Sequence, residues 1–405
     1  MKAAQRFGPG LLVAAAFVGP GTVTTATVAG ARFGFALLWA LAFSVVATIV
    51  LQEMSARLGL VTRQGLGEAL RTTFRGRTAR WGMAILVVGA IGLGNGAYQA
   101  GNITGAAMGL SALTGMPRKV WVVVVGAAAF TLLAAGRYRA LERTLVALVA
   151  VMGVTFVATA VLGRPGLSHV LDALRPSIPR GSLTTIIALI GTTVVPYNLF
   201  LHASAVREKW PASASIAESF TAARLDGALS IGLGGLITLA IMATATIFYA
   251  RGTVIESPVE MAAQLRPILG PAAELFFGVG LFAAGLTSAI TAPLAAAYAT
   301  AGVLGWSTDL RAWPFRTVWA VIVIVGAGFA FAGERPIDAI LVAQAANGLL
   351  LPIVACFLLV AMNRRTLLGE HVNRAWANVL GAGVVLIVTG LGVLKILNVL
   401  NNRVF

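Results

Sequence analysis

The sequence predicts an all-α polytopic membrane protein with eleven transmembrane helices, of which the first and the sixth are broken. The 405-residue chain is 58% hydrophobic and only 11% charged, whereas soluble domains carry roughly 25% charged residues. Its mean hydropathy is +0.89. Apolar runs near the roughly 20 residues that a helix needs to cross a bilayer recur along the whole length. A proline interrupts the first and the sixth of these runs.

The loops between the apolar runs are short, so we expect a single transmembrane domain over residues 1–405. Some runs exceed the length needed to cross, which implies tilt or turns outside the membrane. The eleven spans are placed at about 8–31, 35–58, 81–109, 118–136, 141–163, 183–206, 226–250, 268–304, 315–332, 336–362 and 374–399.

The net charge of +16 is explained by topology rather than by nucleic acid. Lys and Arg are concentrated in short loops, and no basic face with interleaved aromatic residues is visible. The positive-inside rule places the N-terminus in the cytoplasm and, with eleven spans, the C-terminus outside. The expected partners are the lipid bilayer and a small solute or ion, without nucleic acid; the oligomeric state is left open.

The first span is interrupted by Gly19-Pro20-Gly21. Proline lacks a backbone donor and clashes with the preceding turn, and glycine weakens a helix. Backbone groups without helical partners are costly in hydrocarbon, so such a break should be buried in protein or line a wet cavity. The break is therefore a candidate half of a binding site.

The sixth span contains a second interruption at Pro196. Spans one and six are five apart, which predicts two inverted repeats, at about 8–163 and 183–362, followed by an extra helix at about 374–399. Paired interruptions at matching repeat positions indicate a site near the membrane midplane of a secondary transporter. The alternative is that Pro20 and Pro196 only kink packed helices.

Several other functional classes lack support in the sequence. The single Cys356 excludes a disulfide framework and a thiolate metal cluster. No phosphate-binding Walker loop is present, so nothing suggests ATP as the energy source. No Ser-His-Asp or paired-carboxylate arrangement can be argued at the breaks, and we expect neither an enzyme nor a cofactor.

The motifs around the breaks resemble those of the Nramp family of divalent-metal transporters, and the resemblance covers essentially the whole chain. Gly19-Pro20-Gly21-Thr22 stands where the family has Asp-Pro-Gly-Asn, and Gly191 to His202 stands at its Met-Pro-His segment. Further matching segments are Leu37-Leu38-Trp39, Ala56-Arg57-Leu58-Gly59, Phe282 to Gly302, Gln344 to Pro352 and Asn363-Arg364-Arg365.

The resemblance implies a LeuT-like 5+5 inverted repeat in a bacterial inner membrane, working by alternating access. In that mechanism, spans one and six move against spans three, four, eight and nine. The family's metal ligands, Asp and Asn of the first break and Met of the second, correspond to Gly19, Thr22 and Val195 here. The His that follows the second proline corresponds to Tyr197. All the ligand-bearing side chains differ from the family pattern.

The predicted site combines both breaks with one residue of span ten. The predicted substrate-binding residues are Gly19, Thr22, Thr25, Thr192, Val195, Tyr197, Asn198 and Gln344, and the helix breaks are Pro20, Gly21 and Pro196. No metal ligand is assigned. The candidate gate or relay residues are His202, Asn95, Gln99, Asn102 and Asn347.

The roles of the relay candidates stay open at this point. Asn95, Gln99 and Asn102 form one helical stripe in span three, where the family often carries acidic residues. The stripe either lines a pore or joins helices by hydrogen bonds. His202 is a proton site, a gate or a hydrogen-bonded core residue.

Three functions follow as alternatives. The first keeps the family's substrate class, as a weakly bound or hydrated Mg²⁺ or Mn²⁺ moved without proton coupling. A dication stripped of water among neutral dipoles would bear a large desolvation cost, and Mg²⁺ sheds water reluctantly. The second is a neutral or anionic organic solute, attracted by the helix N-termini at the breaks. The third is a non-transporting membrane scaffold or sensor.

Overall fold

A computed structural model describes residues 18–404, apart from residues 75, 137–138, 164–172, 211–214, 253–254 and 256. The part of the predicted first span that precedes residue 18 lies outside the described residues. All regular elements in the described part of the chain are helices, which confirms the all-α class.

Among the described residues, twelve helices form the membrane part, and we number them in chain order. They are α1 (Pro20–Phe33), α2 (Leu38–Thr62), α3 (Arg77–Thr114), α4 (Arg118–Ala135), α5 (Arg139–Gly163), α6 (Leu183–Thr193), α7 (Pro196–Lys209), α8 (Ile216–Arg251), α9 (Ala273–Leu304), α10 (Trp313–Ala332), α11 (Pro336–Met362) and α12 (Ala375–Val404). Short helices at Leu66–Thr73, Pro258–Ala262, Arg266–Leu269 and Arg365–Leu368 lie between them.

Ten stretches of the described chain are long and apolar enough to cross a membrane. Helices α6 and α7 together make one of them, and α1 is the described part of the remaining predicted span. The multi-pass membrane architecture is thereby confirmed. The bounds of the two repeats remain a prediction.

Burial identifies the centre of the helix bundle. In the most apolar window of the α6–α7 stretch, 94% of the residues are buried inside the protein, whereas the corresponding windows of α4 and α12 are 28% buried. A helix that is buried on every side must pack against protein in all directions. The broken sixth span is therefore the central element, and α4 and α12 face the lipid.

Among the described spans, the seventh and the eighth begin farthest from the predicted residues. The seventh was predicted from 226, but α8 begins at Ile216, with Ser215 as its N-cap and Glu218 in its first turn. The eighth was predicted from 268, but α9 begins at Ala273 after several short helical turns. Hydropathy locates the apolar part of a helix, whereas capping residues set where the helix itself starts.

The acidic residues near the spans are largely paired. Glu53 of α2 accepts from Arg57 of the same helix at 3.1 Å and from Arg224 of α8 at 2.8 Å. Arg224 thereby joins α8 to α2. Asp226 is buried inside α8 rather than at its start.

Candidate functional site

Both helix breaks have the same local construction. Gly19 precedes Pro20 with an extended backbone (φ −106°, ψ −174°), and Val195 precedes Pro196 in the same region (φ −79°, ψ 120°). A residue before proline is pushed out of the helical conformation, and proline fits well at the first position of a new helix. The first break therefore begins α1, and the second ends α6 and begins α7, which leaves the N-termini of α1 and α7 at the centre of the bundle.

The two breaks lie against each other. The hydroxyl oxygens of Thr22 in α1 and Thr192 in α6 are 2.9 Å apart, and both side chains are fully buried. Thr22 stands one turn or less from Pro20, and Thr192 stands four residues before Pro196. The predicted residues of the two half-sites are thus in direct hydrogen-bond contact.

Helix α3 packs directly on both breaks. A Cβ atom at Gly105 would overlap the ring of Pro20, so only glycine permits this approach. Two turns earlier, the ring of Tyr98 meets the ring of Tyr197 edge to face, with centroids 5.5 Å apart. Both tyrosines are fully buried. Span three thereby contacts the first break through proline and the second through an aromatic pair.

Helix α11 brings Gln344 to the first break. A Cβ atom at Gly21 would overlap the carboxamide of Gln344, whose Oε1 would lie 2.9 Å away. The Nε2 atom of the same carboxamide would be 3.7 Å from a Cβ at Gly101 of α3. The amide of Gln344 therefore lies between α1 and α3.

The close crossing of α6 and α11 fixes this geometry. A Cβ atom at Gly191 would overlap the backbone oxygen of Gln344 and the backbone nitrogen of Gly348. Backbone contact of this kind requires small residues at helix–helix interfaces in membranes. Because Gln344 itself forms the contact, the crossing positions its side chain relative to the second break.

Two hydroxyl groups that the sequence reasoning did not select face the place where position 19 lacks a side chain. A Cβ atom at Gly19 would lie 2.8 Å from Oγ of Ser288 and 3.8 Å from the hydroxyl oxygen of Tyr98. Tyr98 is four residues before Asn102, so the polar stripe of span three gave a signal for it. Ser288 was one of several hydroxyl residues in span eight, and nothing in its spacing distinguished it.

The centre of the site is polar but carries no carboxylate among the contacts above. Within the described residues, no group of three or more His, Cys, Asp or Glu could hold a metal ion. The buried polar atoms without a hydrogen-bond partner include Thr24 Oγ1, Thr25 Oγ1, Ser288 Oγ and both amide atoms of Asn102, Asn198 and Gln344. Buried polar groups are normally hydrogen-bonded. This set is therefore available to a solute or to the water that accompanies one.

Val195 contributes differently from the other predicted residues. Its side chain is 1% exposed and belongs to the main hydrophobic cluster. It offers no polar atom to a substrate, and the structure shows it only as part of the apolar packing beside Pro196.

The relay candidates divide into two groups. Asn95 donates to the carbonyl of Ile91 in its own helix at 3.0 Å, and Gln99 donates to the carbonyl of Ala289 in α9 at 3.0 Å. These bonds join or brace helices. Asn102 makes no such bond. The side-chain oxygen of Asn347 faces α3 at Gly94, 2.9 Å from where a Cβ would stand, two turns along α3 from the contact of Gln344.

His202 is bonded to α2. Its Nδ1 lies 2.7 Å from the side-chain oxygen of Gln52, and the ring is 2% exposed. Because the amide oxygen can only accept, Nδ1 carries the hydrogen in this arrangement. The bond connects α7 to α2 within the bundle and supports the interpretation of His202 as a hydrogen-bonded core residue.

Comparison with known proteins identifies the relatives of this chain. The family model described as natural resistance-associated macrophage protein-like matches residues 10–398. The divalent metal cation transporter MntH 1 of Pseudomonas aeruginosa is 32% identical over 395 residues, covering 94% of this chain and 88% of that protein. The divalent metal cation transporter MntH of Ralstonia nicotianae is 32% identical over 384 residues, covering 90% and 84%.

Solved structures agree on the fold. The Eremococcus coleocola manganese transporter superposes with a TM-score of 0.75 at 23% identity, covering 96% of this chain and 85% of that one. The inward-facing conformation of Mhp1 gives a TM-score of 0.55 at 19% identity, covering 97% and 91%. The fold is thus shared with a LeuT-like transporter outside the family. The match of the family model over nearly the whole chain, together with these relatives, shows that this protein is a member of the Nramp family of membrane transporters.

Proposed function

We propose that the protein is a secondary transporter that carries a divalent cation, Mg²⁺ or Mn²⁺, with most of its water shell, by alternating access around the two helix breaks. The observation that carries the proposal is the buried meeting of the breaks, where Thr22 contacts Thr192 at 2.9 Å and the surrounding polar groups are neutral. The relatives named above are divalent metal cation transporters, which supports the cation as the substrate class.

The neutral site favours a hydrated ion over a bare one. Moving a dication out of water without an opposite charge nearby costs far more than neutral dipoles return. Mg²⁺ demands near-ideal octahedral coordination and dehydrates reluctantly, so it usually keeps several waters. The oxygens of Thr25, Asn198 and Gln344 can accept hydrogen bonds from those waters instead of replacing them.

The same groups argue against proton coupling. Proton relays in membranes use chains of Asp, Glu or His. The stripe of α3 offers the amides of Asn95, Gln99 and Asn102, which do not titrate. Of the relay candidates only His202 titrates, and a single histidine held by Gln52 does not make a chain. The cation would therefore move down its own gradient.

The test is uptake into liposomes that contain the purified protein and a Mg²⁺- or Mn²⁺-sensitive dye. We expect saturable uptake in the millimolar range, an unchanged rate when the external pH is varied, and no acidification of the lumen. A test variant is Thr25→Val, which removes a site hydroxyl and should raise the half-saturating concentration. The absence of any saturable divalent flux would refute the cation proposal, and a luminal pH change that follows the flux would refute the uncoupled mechanism.

A second candidate substrate is a neutral or anionic organic solute. The observation that favours it is that the amide nitrogens of Asn102, Asn198 and Gln344 have no hydrogen-bond partner. An amide nitrogen donates hydrogen bonds and cannot ligate a cation, and the N-termini of α1 and α7 add partial positive charge. Thermal stabilisation of the protein by small amides or carboxylates, but not by Mg²⁺ or Mn²⁺, would favour this candidate.

A further inference from the structure

We propose that Ser288 of α9 and Tyr98 of α3 form a wall of the substrate site and contact the carried species in the place that a side chain at position 19 would take. The inference rests on the proposed function in one respect, namely that the two breaks form the transport site. It adds two residues that neither the break motifs nor the span-ten motif includes.

The hydroxyls of Ser288 and Tyr98 both lie near the position that a Cβ atom at residue 19 would take. From the position of a Cβ atom at Gly19, Ser288 Oγ is 2.8 Å away and the Tyr98 hydroxyl oxygen is 3.8 Å away. Both side chains are fully buried. Gly19 is the last residue before α1, so this point adjoins the free backbone groups of the first break.

The hydroxyl of Ser288 differs from its neighbours in α9. The hydroxyls of Thr287 and Thr291 donate to carbonyls of their own helix, those of Ala283 and Thr287, each at 2.8 Å. That is the usual arrangement for such residues inside helices. Ser288 Oγ has no partner, although burial without a partner is costly. A group of this kind is explained when its partner is the transported species or a water bound to it.

Tyr98 is held in position by a second contact. Its ring packs edge to face on Tyr197 at 5.5 Å, so the first and second breaks share one aromatic element. Edge-to-face pairs of buried rings favour a defined geometry. The ring pair fixes the direction of the Tyr98 hydroxyl toward Gly19.

These two residues would connect the substrate to the movement of the helices. Thr22, Thr192 and Tyr197 belong to the broken spans, whereas Ser288 and Tyr98 belong to spans eight and three. A ligand can shift a conformational equilibrium only if it interacts differently with the two states. If the substrate contacts both the broken spans and spans three and eight, its interactions change when one set of helices moves relative to the other.

The first test is cysteine accessibility in a Cys356→Ser background. Ser288→Cys should react with 2-aminoethyl methanethiosulfonate in the reconstituted transporter. Thr287→Cys is the matched control, since Thr287 is adjacent in the same helix and bonds to that helix. Reaction of Ser288→Cys no faster than that of Thr287→Cys would overturn the proposal.

Protection distinguishes this inference from the cation proposal. Slower modification of Ser288→Cys in the presence of Mg²⁺ or Mn²⁺ supports both. If Ser288→Cys is modified faster than the control but neither ion slows the reaction, Ser288 lines the site and a divalent cation is not its occupant. Slower modification in the presence of a small amide or carboxylate would then identify the second candidate substrate.

The second test retains the shape of the wall and removes one hydroxyl at a time. Tyr98→Phe keeps the ring contact with Tyr197, and Ser288→Ala keeps the helix packing. Each should raise the half-saturating substrate concentration about fivefold, the effect of losing one neutral hydrogen bond, with the maximal rate and thermal stability little changed. Unchanged half-saturation in both variants would contradict the proposal.

Discussion

At the scale of single residues, the contact between Thr22 and Thr192 connects the two halves of the site. Both hydroxyls are fully buried at 2.9 Å, in a region where unpaired polar groups are costly. The contact joins α1 to α6, the two segments that flank the breaks. Its loss therefore affects the positions of both breaks at once.

We predict that the effects of Thr22→Val and Thr192→Val on the free energy of unfolding are not additive. Each should lower the free energy of unfolding by about 0.5–1.5 kcal/mol, since each removes one interhelical hydrogen bond, and the double variant should cost little more than the larger single one. Thermal unfolding in detergent measures this. Thr25→Val is the control, because Thr25 Oγ1 has no partner to lose; a fully additive double variant would contradict the direct contact.

We also predict that metal binding can be introduced at the breaks. The combination Gly19→Asp, Thr22→Asn and Val195→Met places the family's ligand types at the corresponding positions, supplying a carboxylate, an amide and a thioether, which suit Mn²⁺ and related ions. The Ser288 hydroxyl must rotate away, and it has no partner to lose. Calorimetric titration should show that this triple variant binds Mn²⁺. The control, which carries Gly19→Asn with the same two other changes, should not bind it. No binding would mean that the breaks hold a different backbone geometry.

The sequence was informative about the site where a residue type has few uses inside a membrane helix. Pro20 and Pro196 could be assigned as breaks because proline removes a backbone donor, and Gln344 by its family position. Ser288 could not be found, since serine is common at helix contacts in membranes and its hydroxyl usually bonds within its own helix. Only the three-dimensional position of Gly19 shows what that hydroxyl faces.

At the scale of helices, glycine contacts determine how the broken spans are held. Gly105 packs against the ring of Pro20, and Gly191 packs against the backbone of α11 at Gln344 and Gly348. Without a hydrophobic driving force between helices in lipid, close packing supplies much of the association energy. These crossings therefore fix the site more directly than the polar contacts do.

We predict that Gly191→Ala separates α6 from α11. The added methyl would overlap backbone atoms that cannot rotate away, so we expect a loss of about 1–3 kcal/mol in stability, as for overpacked cores, together with impaired transport. Gly89→Ala in α3 is the matched control, because a Cβ there meets nothing within 4 Å. Equal melting temperatures for the two variants would contradict the tight crossing.

The helices also show where hydropathy loses its accuracy. It predicted the apolar middle of α8 but missed its first ten residues, which carry Glu218 and Arg224 on a helix that extends beyond the hydrophobic run. The ion pair between Arg224 of α8 and Glu53 of α2 could not be predicted either, because pairing across helices depends on how the helices pack.

At the scale of the whole molecule, the predicted count of eleven spans would place the two termini on opposite sides of the membrane. The orientation itself rests on the distribution of Lys and Arg, which the positive-inside rule interprets. The basic ends of α2, α7 and α10 would then face the cytoplasm. This assignment decides from which side a substrate reaches each break.

We predict that the C-terminus faces outward. Fusion of alkaline phosphatase after Phe405 should give an active enzyme in bacterial cells, whereas fusion after Asn363, in the loop that follows α11, should not. A green fluorescent protein fused at the same two positions should show the opposite result. Activity of the phosphatase at Asn363 would reverse the topology.

The packing of Pro20 against Gly105 has a mechanical consequence for the whole transporter. Helix α1 extends 14 residues from that contact, a lever arm of about 21 Å at 1.5 Å per residue. If Pro20 acts as the fulcrum, a tilt of about 10° carries the far end of the arm, at Phe33, through roughly 3–4 Å. The position of the Gly105 contact along α1 would set the length of this arm, and hence the displacement at Phe33 for a given tilt.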